Sequence, residues 1–373
     1  MPDCFCCARA CGLLAAIFAS GVASSAALNK FVNEQYDLVK ITDNVYSFMA
    51  PESDSGVVQS NCTVIIGGDS VLVVDSGQFP TLAKRMVADI QKLTTKPVRY
   101  LVNTHWHFDH VWGNGAIRDA YPGLAIISTE FTRQLVESEG PKFIANQPAI
   151  NAQQVSDIRK MLAAGKSPSG RAVSDEEKRA YTRLADTLDH VNAEFPMTVH
   201  TPPTIGFEKE LTINLGKREV KVLWLGRANT GGDAVVWLPD AKLLLAGDTV
   251  VYPAPFAFGS YLSEWPATLE KMIGLNPAII IPGHGPVMRD TSYLKTLVEL
   301  FRTLYSEVQA AVAEGASLDD IHRKVTLADF ESRFAHYAST DLMRLSGFRS
   351  FLAPAVDRAY QEATGHLKPE NQE

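Results

Sequence analysis

The feature that most restricts this chain is a six-residue span, His105-Trp106-His107-Phe108-Asp109-His110. It lies just beyond Val98 to Val102, a run that reads as a buried strand. Three of the nine histidines fall inside it, which is hard to obtain without selection for a shared task. His105 and His107, two apart in an extended segment, project to the same side, and Asp109 and His110 can face a second position nearby. Imidazole nitrogen and carboxylate oxygen are ligands that suit zinc, and crowding them on one loop makes sense when a cation offsets their repulsion. Two later segments repeat the geometry of an apolar strand ending in a potential ligand. Leu243-Leu244-Leu245-Ala246-Gly247 leads to Asp248, and Ile279-Ile280-Ile281-Pro282-Gly283 leads to His284.

Around these points the pattern is layered α/β. Cys62 to Ile66 and Ser70 to Asp75 are β-branched runs separated by Gly67-Gly68-Asp69, a hairpin signal. Pro80 to Leu93 has helical spacing, with Leu82, Met86, Ile90 and Leu93 on one face, and Leu124 to Ile127 reads as another buried strand. A second set of strands is predicted at Leu211 to Leu215, Val220 to Leu225, Ala234 to Leu238, Lys242 to Ala246 and Ala278 to Ile281. Two sets of strands with helices between them imply packed sheets covered by helices. The stretch from about 131 to 195 interrupts the scheme and is expected to be a helical insertion, opened in part by the capping box of Ser174 and Glu177. Beyond His284, Tyr293 to Ala313 reads as a long amphipathic helix stopped by Gly315, and Ser317 with Asp320 opens another. The polar tail after Thr364 is expected to fray.

The 373 residues, 46% of them hydrophobic, are ample for a sizeable core. A formal net charge of -7, with no Lys/Arg block, leaves no electrostatic footprint for a polyanion, so nucleic acid is not an expected partner. At the N-terminus Arg9 precedes the apolar stretch Cys11 to Val22, which ends in Ala23-Ser24-Ser25-Ala26. This is the layout of a secretory signal peptide, residues 1–26, and predicts a secreted or periplasmic protein. The apolar stretch falls short of the roughly 20 residues a spanning helix needs, so no stable membrane insertion is expected after processing. Cys4, Cys6, Cys7 and Cys11 lie within this leader, leaving Cys62, in an apolar strand pattern, as a buried structural thiol.

Taken together, His105-x-His107-x-Asp109-His110, Gly247-Asp248 and Pro282-Gly283-His284-Gly285 resemble the metallo-β-lactamase superfamily over about Val45 to Pro286. The resemblance implies an αββα sandwich, here with a helical insertion and C-terminal helices. It divides the chain into a leader, a metallo-β-lactamase-fold domain at 27–290 and a helical extension at 291–373. It also implies one or two zinc ions, with His105 and His107 in a first site, Asp109, His110 and His284 in a second, and Asp248 bridging. Asp75, in Val73-Val74-Asp75-Ser76-Gly77, matches the family's strand-end aspartate that supports the ligands from behind.

One departure is Asn229, which stands where a third histidine of the first site is expected. An asparagine carbonyl is a neutral and weaker zinc ligand than imidazole, so the first site is expected to be weakened. The implied chemistry is hydrolysis of an ester, lactone, thioester or β-lactam-type carbonyl in a small-molecule substrate by a metal-bound hydroxide, with Asp109 orienting the water or carrying its proton. No Gly-x-Ser-x-Gly elbow competes as a site. Tyr252, Phe256 and Phe258 follow Asp248 closely and are candidates for a substrate pocket. Two alternatives belong to other classes, an iron-dependent oxidoreductase of the same fold and a non-catalytic ligand-binding relative with a degenerate first site. His190, His200, His322, His336 and His366 match no family position and are expected to be polar surface residues.

Overall fold

The structure is a computed structural model that describes residues 35–51, 59–167, 170–335 and 341–370. The predicted leader and its four cysteines lie outside the described residues, as does His336. Among the described residues no helix is long and apolar enough to cross a membrane.

Short strands, several of them apolar and buried along their whole length, build two sheets. The first contains β1 (Asp37–Thr42), β2 (Val45–Met49), β3 (Cys62–Ile66), β4 (Val71–Val74), β5 (Val98–Val102), β6 (Ala125–Thr129) and β7 (Ile205–Phe207), in that spatial order. Strands β1 to β4 pair antiparallel, and β4 to β7 pair parallel. Parallel pairs need crossovers. These are α1 (Pro80–Leu93), then α2 (Phe108–Val111) with α3 (Asn114–Ala120), and finally the insertion. The second sheet has the order β12-β11-β10-β9-β8, with β8 at Glu210–Asn214, β9 at Glu219–Trp224, β10 at Ala234–Leu238, β11 at Leu243–Val251 and β12 at Ile279–His284. Its single parallel pair, β11 with β12, is joined through α6 (Trp265–Gly274).

Because successive side chains in a strand point to opposite faces, each sheet feeds two cores. Ile65, Leu72, Val74 and Val102 meet Val222, Val236, Leu245 and Ile281 between the sheets. On the far face of the first sheet Val64, Val73 and Leu101 pack on Leu82, Met86 and Ile90 of α1. On the far face of the second, Val235, Leu244 and Ile280 pack on Trp265 and Leu269 of α6 and on Leu297 and Phe301 of α7 (Ser292–Ala313). The four layers are helix, sheet, sheet, helix, as the sequence implied. Cys62 is buried within β3, and burial holds its thiol well above the ordinary range.

The insertion is two helices, α4 (Glu130–Ala164) and α5 (Asp175–Asn192). The capping box at Ser174 and Glu177 is formed in both directions. α4 carries Pro141 and Pro148 within its 35 residues and has little apolar periodicity, so pattern alone found only the second helix. Val155 and Ile158 of α4 and Leu184 and Leu188 of α5 join the core outside the first sheet. The C-terminal layer adds α8 (Leu318–Lys324), α9 (Ala328–Ala335) and α10 (Asp341–Thr364).

The tail differs from expectation. Instead of fraying after Thr364, its described part returns to the body of the protein. Arg358, fully buried in α10, donates to the carbonyls of Gly259 (3.1 Å), Ser260 (2.9 Å) and Lys368 (3.0 Å). Glu370 is only 5% exposed. The physical reason is that a buried guanidinium has more donors than α10 alone can satisfy, and the returning chain supplies an acceptor.

Candidate metal centre

Asp75 organises the cluster. It follows β4 in the left-handed region (φ 58°), a conformation an aspartate tolerates better than most residues. Its Oδ1 accepts from the Thr104 amide (2.8 Å), and its Oδ2 accepts from the Thr104 hydroxyl (2.9 Å) and from His110 Nδ1 (2.8 Å). Since the Thr104 proton is already committed, Thr104 Oγ1 is left to accept from His105 Nδ1 (3.1 Å). Both rings are thus held as the tautomer whose Nε2 is free to point away from Asp75. The one-turn helix α2 places Asp109 and His110 side by side, and Ser60 and Ser76 secure their carbonyls.

The second sheet contributes from the parallel pair. Asp248 lies inside β11 and His284 ends β12. These strands can approach only because Gly283 lacks a side chain: a Cβ there would fall 1.9 Å from Asp248 Oδ1. Asn61, next to β3, stitches the sheets together by donating from its amide to Gly283 O (2.8 Å) and from Nδ2 to Pro282 O (3.0 Å) and Gly285 O (2.9 Å).

The donor atoms converge. Asp248 Oδ1 is 3.2 Å from His110 Nε2 and 3.3 Å from His284 Nε2, and Asp248 Oδ2 is 3.7 Å from His105 Nε2. Asp109 Oδ2 is 3.0 Å from His284 Nε2 and 3.5 Å from His110 Nε2. His105 Nε2, Asp109 Oδ2, His110 Nε2, Asp248 Oδ1 and His284 Nε2 are buried and lack a hydrogen-bond partner. Buried polar atoms are rarely left so, because each costs about 1–3 kcal/mol unpaired. Four ligands placed about 2.0–2.1 Å from a tetrahedral zinc would sit roughly 3.3 Å from one another, which is the spacing seen here. Two groups, His105 with His110 and Asp248, and Asp109 with His110 and His284, are therefore compact enough to hold an ion.

His107 and Asn229 lie at the other end. The His107 ring is 4.6 Å from that of His105, and Asn229 Nδ2 is 3.5 Å from His107 Nδ1. Asn229 is fully buried and its Oδ1 has no partner. Hence His105, His107 and Asn229 border one half of the centre, Asp109, His110 and His284 the other, and Asp248 faces both.

Electrostatics follow from this crowding. Burial depresses His105 well below the ordinary histidine range and His107 more mildly, which favours the neutral imidazole a metal requires. Burial also depresses His110 and His284, but the carboxylates of Asp109 and Asp248 outweigh it, raising His110 well above its usual value and His284 to about 10. The aspartates respond in kind: burial raises them, the histidines prevail, and both Asp109 and Asp248 end below the usual carboxylate range.

Of the three pocket candidates, the Phe256 ring lies 6.1 Å from that of His284. Tyr252 packs on Tyr293 with centroids 5.3 Å apart, against the core outside the second sheet. Phe258 is exposed. Of the described histidines outside the motifs, His322 pairs with Asp357 at 2.7 Å, and His200 packs against Gly140. Two groups near the centre escaped sequence reasoning. Asp233 is buried, accepts from the Thr230 amide at 2.6 Å and is raised well above the carboxylate range by burial. Glu370 bonds Trp106 and Gly231. Neither sits in a local pattern, so only the fold reveals them.

Residues 55–284 match the family model of the metallo-beta-lactamase superfamily, and the chain belongs to that superfamily. It is 22% identical over 283 residues to a linear primary-alkylsulfatase of a Pseudomonas species, an alignment covering 72% of this chain and 50% of the relative, so the chain spans half of that protein's length. It is also 22% identical over 246 residues to a metallo-beta-lactamase type 2 of a Bacillus species, covering 64% of this chain and 72% of the relative. Among solved structures, a metallo-beta-lactamase from Pontibacter korlensis superposes with a TM-score of 0.51 at 18% identity, covering 72% of this chain and 99% of that one. At such identity the likeness is one of fold.

Proposed function

We propose that the protein is a zinc-dependent hydrolase of small-molecule substrates, acting on an ester, lactone, thioester or β-lactam-type carbonyl. The observation that carries this reading is the set of five buried, unpartnered donor atoms: four of them lie 3.0–3.5 Å from a neighbour in the set, and the fifth, His105 Nε2, lies 3.7 Å from Asp248 Oδ2. Asp109, His110, Asp248 and His284 would hold one ion. His105, His107 and Asp248, with Asn229 as a weaker fourth group, would hold another. A zinc ion held there would supply Lewis acidity and would lower the pKa of a coordinated water towards about 7. The protein's own contribution is orientation: Asp75 and Thr104 fix the rings of His105 and His110, and Asp109, whose Oδ2 would bind the ion, would orient a water or carry its proton through its other oxygen. Phe256 offers an apolar surface beside His284.

The names of the relatives, one an alkylsulfatase and one a β-lactamase, set the breadth of a first substrate panel. The purified protein, with its metal content measured, is assayed on ester, lactone, thioester, β-lactam and alkyl-sulfate substrates with and without chelator. Hydrolysis lost on chelation and in Asp109→Ala and His284→Ala, with fold retained, is the expected result. No hydrolysis by metal-loaded protein sinks the reading, and iron in place of zinc with redox turnover replaces it. The protein is further proposed to be exported and processed after Ala26, on the strength of the order Arg9, apolar stretch, small residues. N-terminal sequencing of exported protein decides this, and a retained Met1 on soluble cytoplasmic protein contradicts it.

A further inference from the structure

The centre is bordered by two loops whose bases are joined by the Ala234 amide donating to Thr104 O (2.8 Å). One carries His105 and His107 on either side of Trp106, and the other carries Asn229 two residues before Gly231. Further along, a buried side chain ties them again. Glu370 accepts from Trp106 Nε1 through Oε2 (2.8 Å) and from the Gly231 amide through Oε1 (2.5 Å). The Tyr261 hydroxyl also bonds Glu370, while the Tyr261 amide donates to Ala228 O (2.9 Å), the residue before Asn229. The carboxylate thus collects three donors, two of them from the loops that carry His105, His107 and Asn229.

The strut is itself anchored. Arg358 grips the tail at Lys368 O and the neighbouring loop at Gly259 O and Ser260 O. Gly259 gives Glu370 its room, since a Cβ there would meet the Glu370 side chain at 3.1 Å. The Tyr261 ring is held in turn by the Arg227 guanidinium, 4.2 Å from its centroid. Charged acceptors of several N–H and O–H donors are strong and directional, and both oxygens are engaged here.

We infer that Glu370 is a positioning residue for the first half of the metal centre: beyond the Ala234–Thr104 bond it holds the Trp106 side of the His105–His107 loop against the Gly231 side of the Asn229 loop. This rests on the reading of the cluster as a metal centre and goes beyond it by giving a tail residue, outside the family match at 55–284, control over one half only. The other half, Asp109, His110, Asp248 and His284, is fixed by Asp75, Asn61 and Gly283 and contains no contact to Glu370. Asparagine in place of a third imidazole leaves the first half short of a strong ligand, so the geometry of the remaining groups matters more there.

The test uses the purified protein exchanged into cobalt(II) and equilibrated against a graded competing chelator, comparing the parent with Glu370→Ala and Glu370→Gln. Supporting a ligand from outside is typically worth 10–100-fold in metal affinity, so Glu370→Ala is expected to weaken the first-half ion by at least about tenfold while the second-half ion changes less than about twofold. Glu370→Gln keeps one carbonyl acceptor and is expected to recover part of the loss. Amide exchange at Gly231 should quicken in Glu370→Ala while that of the core strands does not. If the parent takes up one cobalt, the same pair is compared in an Asn229→His background, which restores the imidazole. Equal affinities in parent and Glu370→Ala, or equal weakening of both ions, overturn the inference. No second ion in either background also overturns it while leaving the functional reading intact at the second half, and no cobalt uptake at all by the parent overturns both.

Discussion

Asp75 shows how one side chain can govern a site it does not enter. Its two oxygens take three donors, and each bond decides where an imidazole points. In Asp75→Asn one oxygen becomes an amide that must face a donor, so the His110 ring loses its partner or the Thr104 turn does. Metal affinity is expected to fall roughly 10–100-fold with secondary structure retained, measured by chelator competition and circular dichroism. Unaltered affinity would show that the ring orientations are set elsewhere. Glu370 yields a second prediction, about stability and pH. Burial raises it from 4.5 to about 7, against the pull of its three donors and Arg358. Between these values the unfolded chain is ionised while the folded chain holds the proton. Stability from this group is therefore present at low pH and declines as pH rises towards 7. Denaturant unfolding from about pH 5 to about pH 8 should show a shallower decline in Glu370→Gln than in the parent; parallel curves would rule this out.

Among the elements, the insertion is the one whose support can be separated from the metal centre. Ser174 accepts from the Glu177 amide at 3.1 Å, and Glu177 reaches back to the Ser174 amide at 2.7 Å. Removing such a cap costs about 1 kcal/mol, so Ser174→Ala is expected to lower unfolding stability by that amount and leave metal content unchanged. Lost metal would mean that α5 supports the centre directly. The elements also show what a sequence can reveal. The six-residue span was legible because its ligands are contiguous, and Asp248 and His284 because each ends an apolar strand run. Ser174 was legible because a capping box is local. α4 was not, since its two prolines and mixed faces hide a helix that tertiary packing sustains. Glu370 was beyond reach, lying 264 positions from its indole partner in a tail of ordinary polarity.

At the scale of the whole molecule, the centre joins the two sheets. His105, His107, Asp109 and His110 come from the first, Asp248 and His284 from the second, and Asn61 adds a stitch close by. An ion bound across this junction favours the folded state by mass action, about 2.7 kcal/mol when free metal is 100 times its dissociation constant. Chelation is expected to lower the thermal midpoint, recovered on adding zinc back; an unchanged midpoint would mean that the sheets hold together without help. Synthesis adds a temporal side to the Trp106 contact with Glu370. A ribosome adding roughly 5–20 residues per second needs on the order of 13–50 seconds to add the 264 residues that follow Trp106 up to Glu370. Throughout that interval the indole has been made and its carboxylate has not. The emerging chain therefore passes through a stage in which both sheets can exist while Trp106 and Gly231 remain untied, a window in which a chaperone or a protease meets a different surface from that of the finished protein.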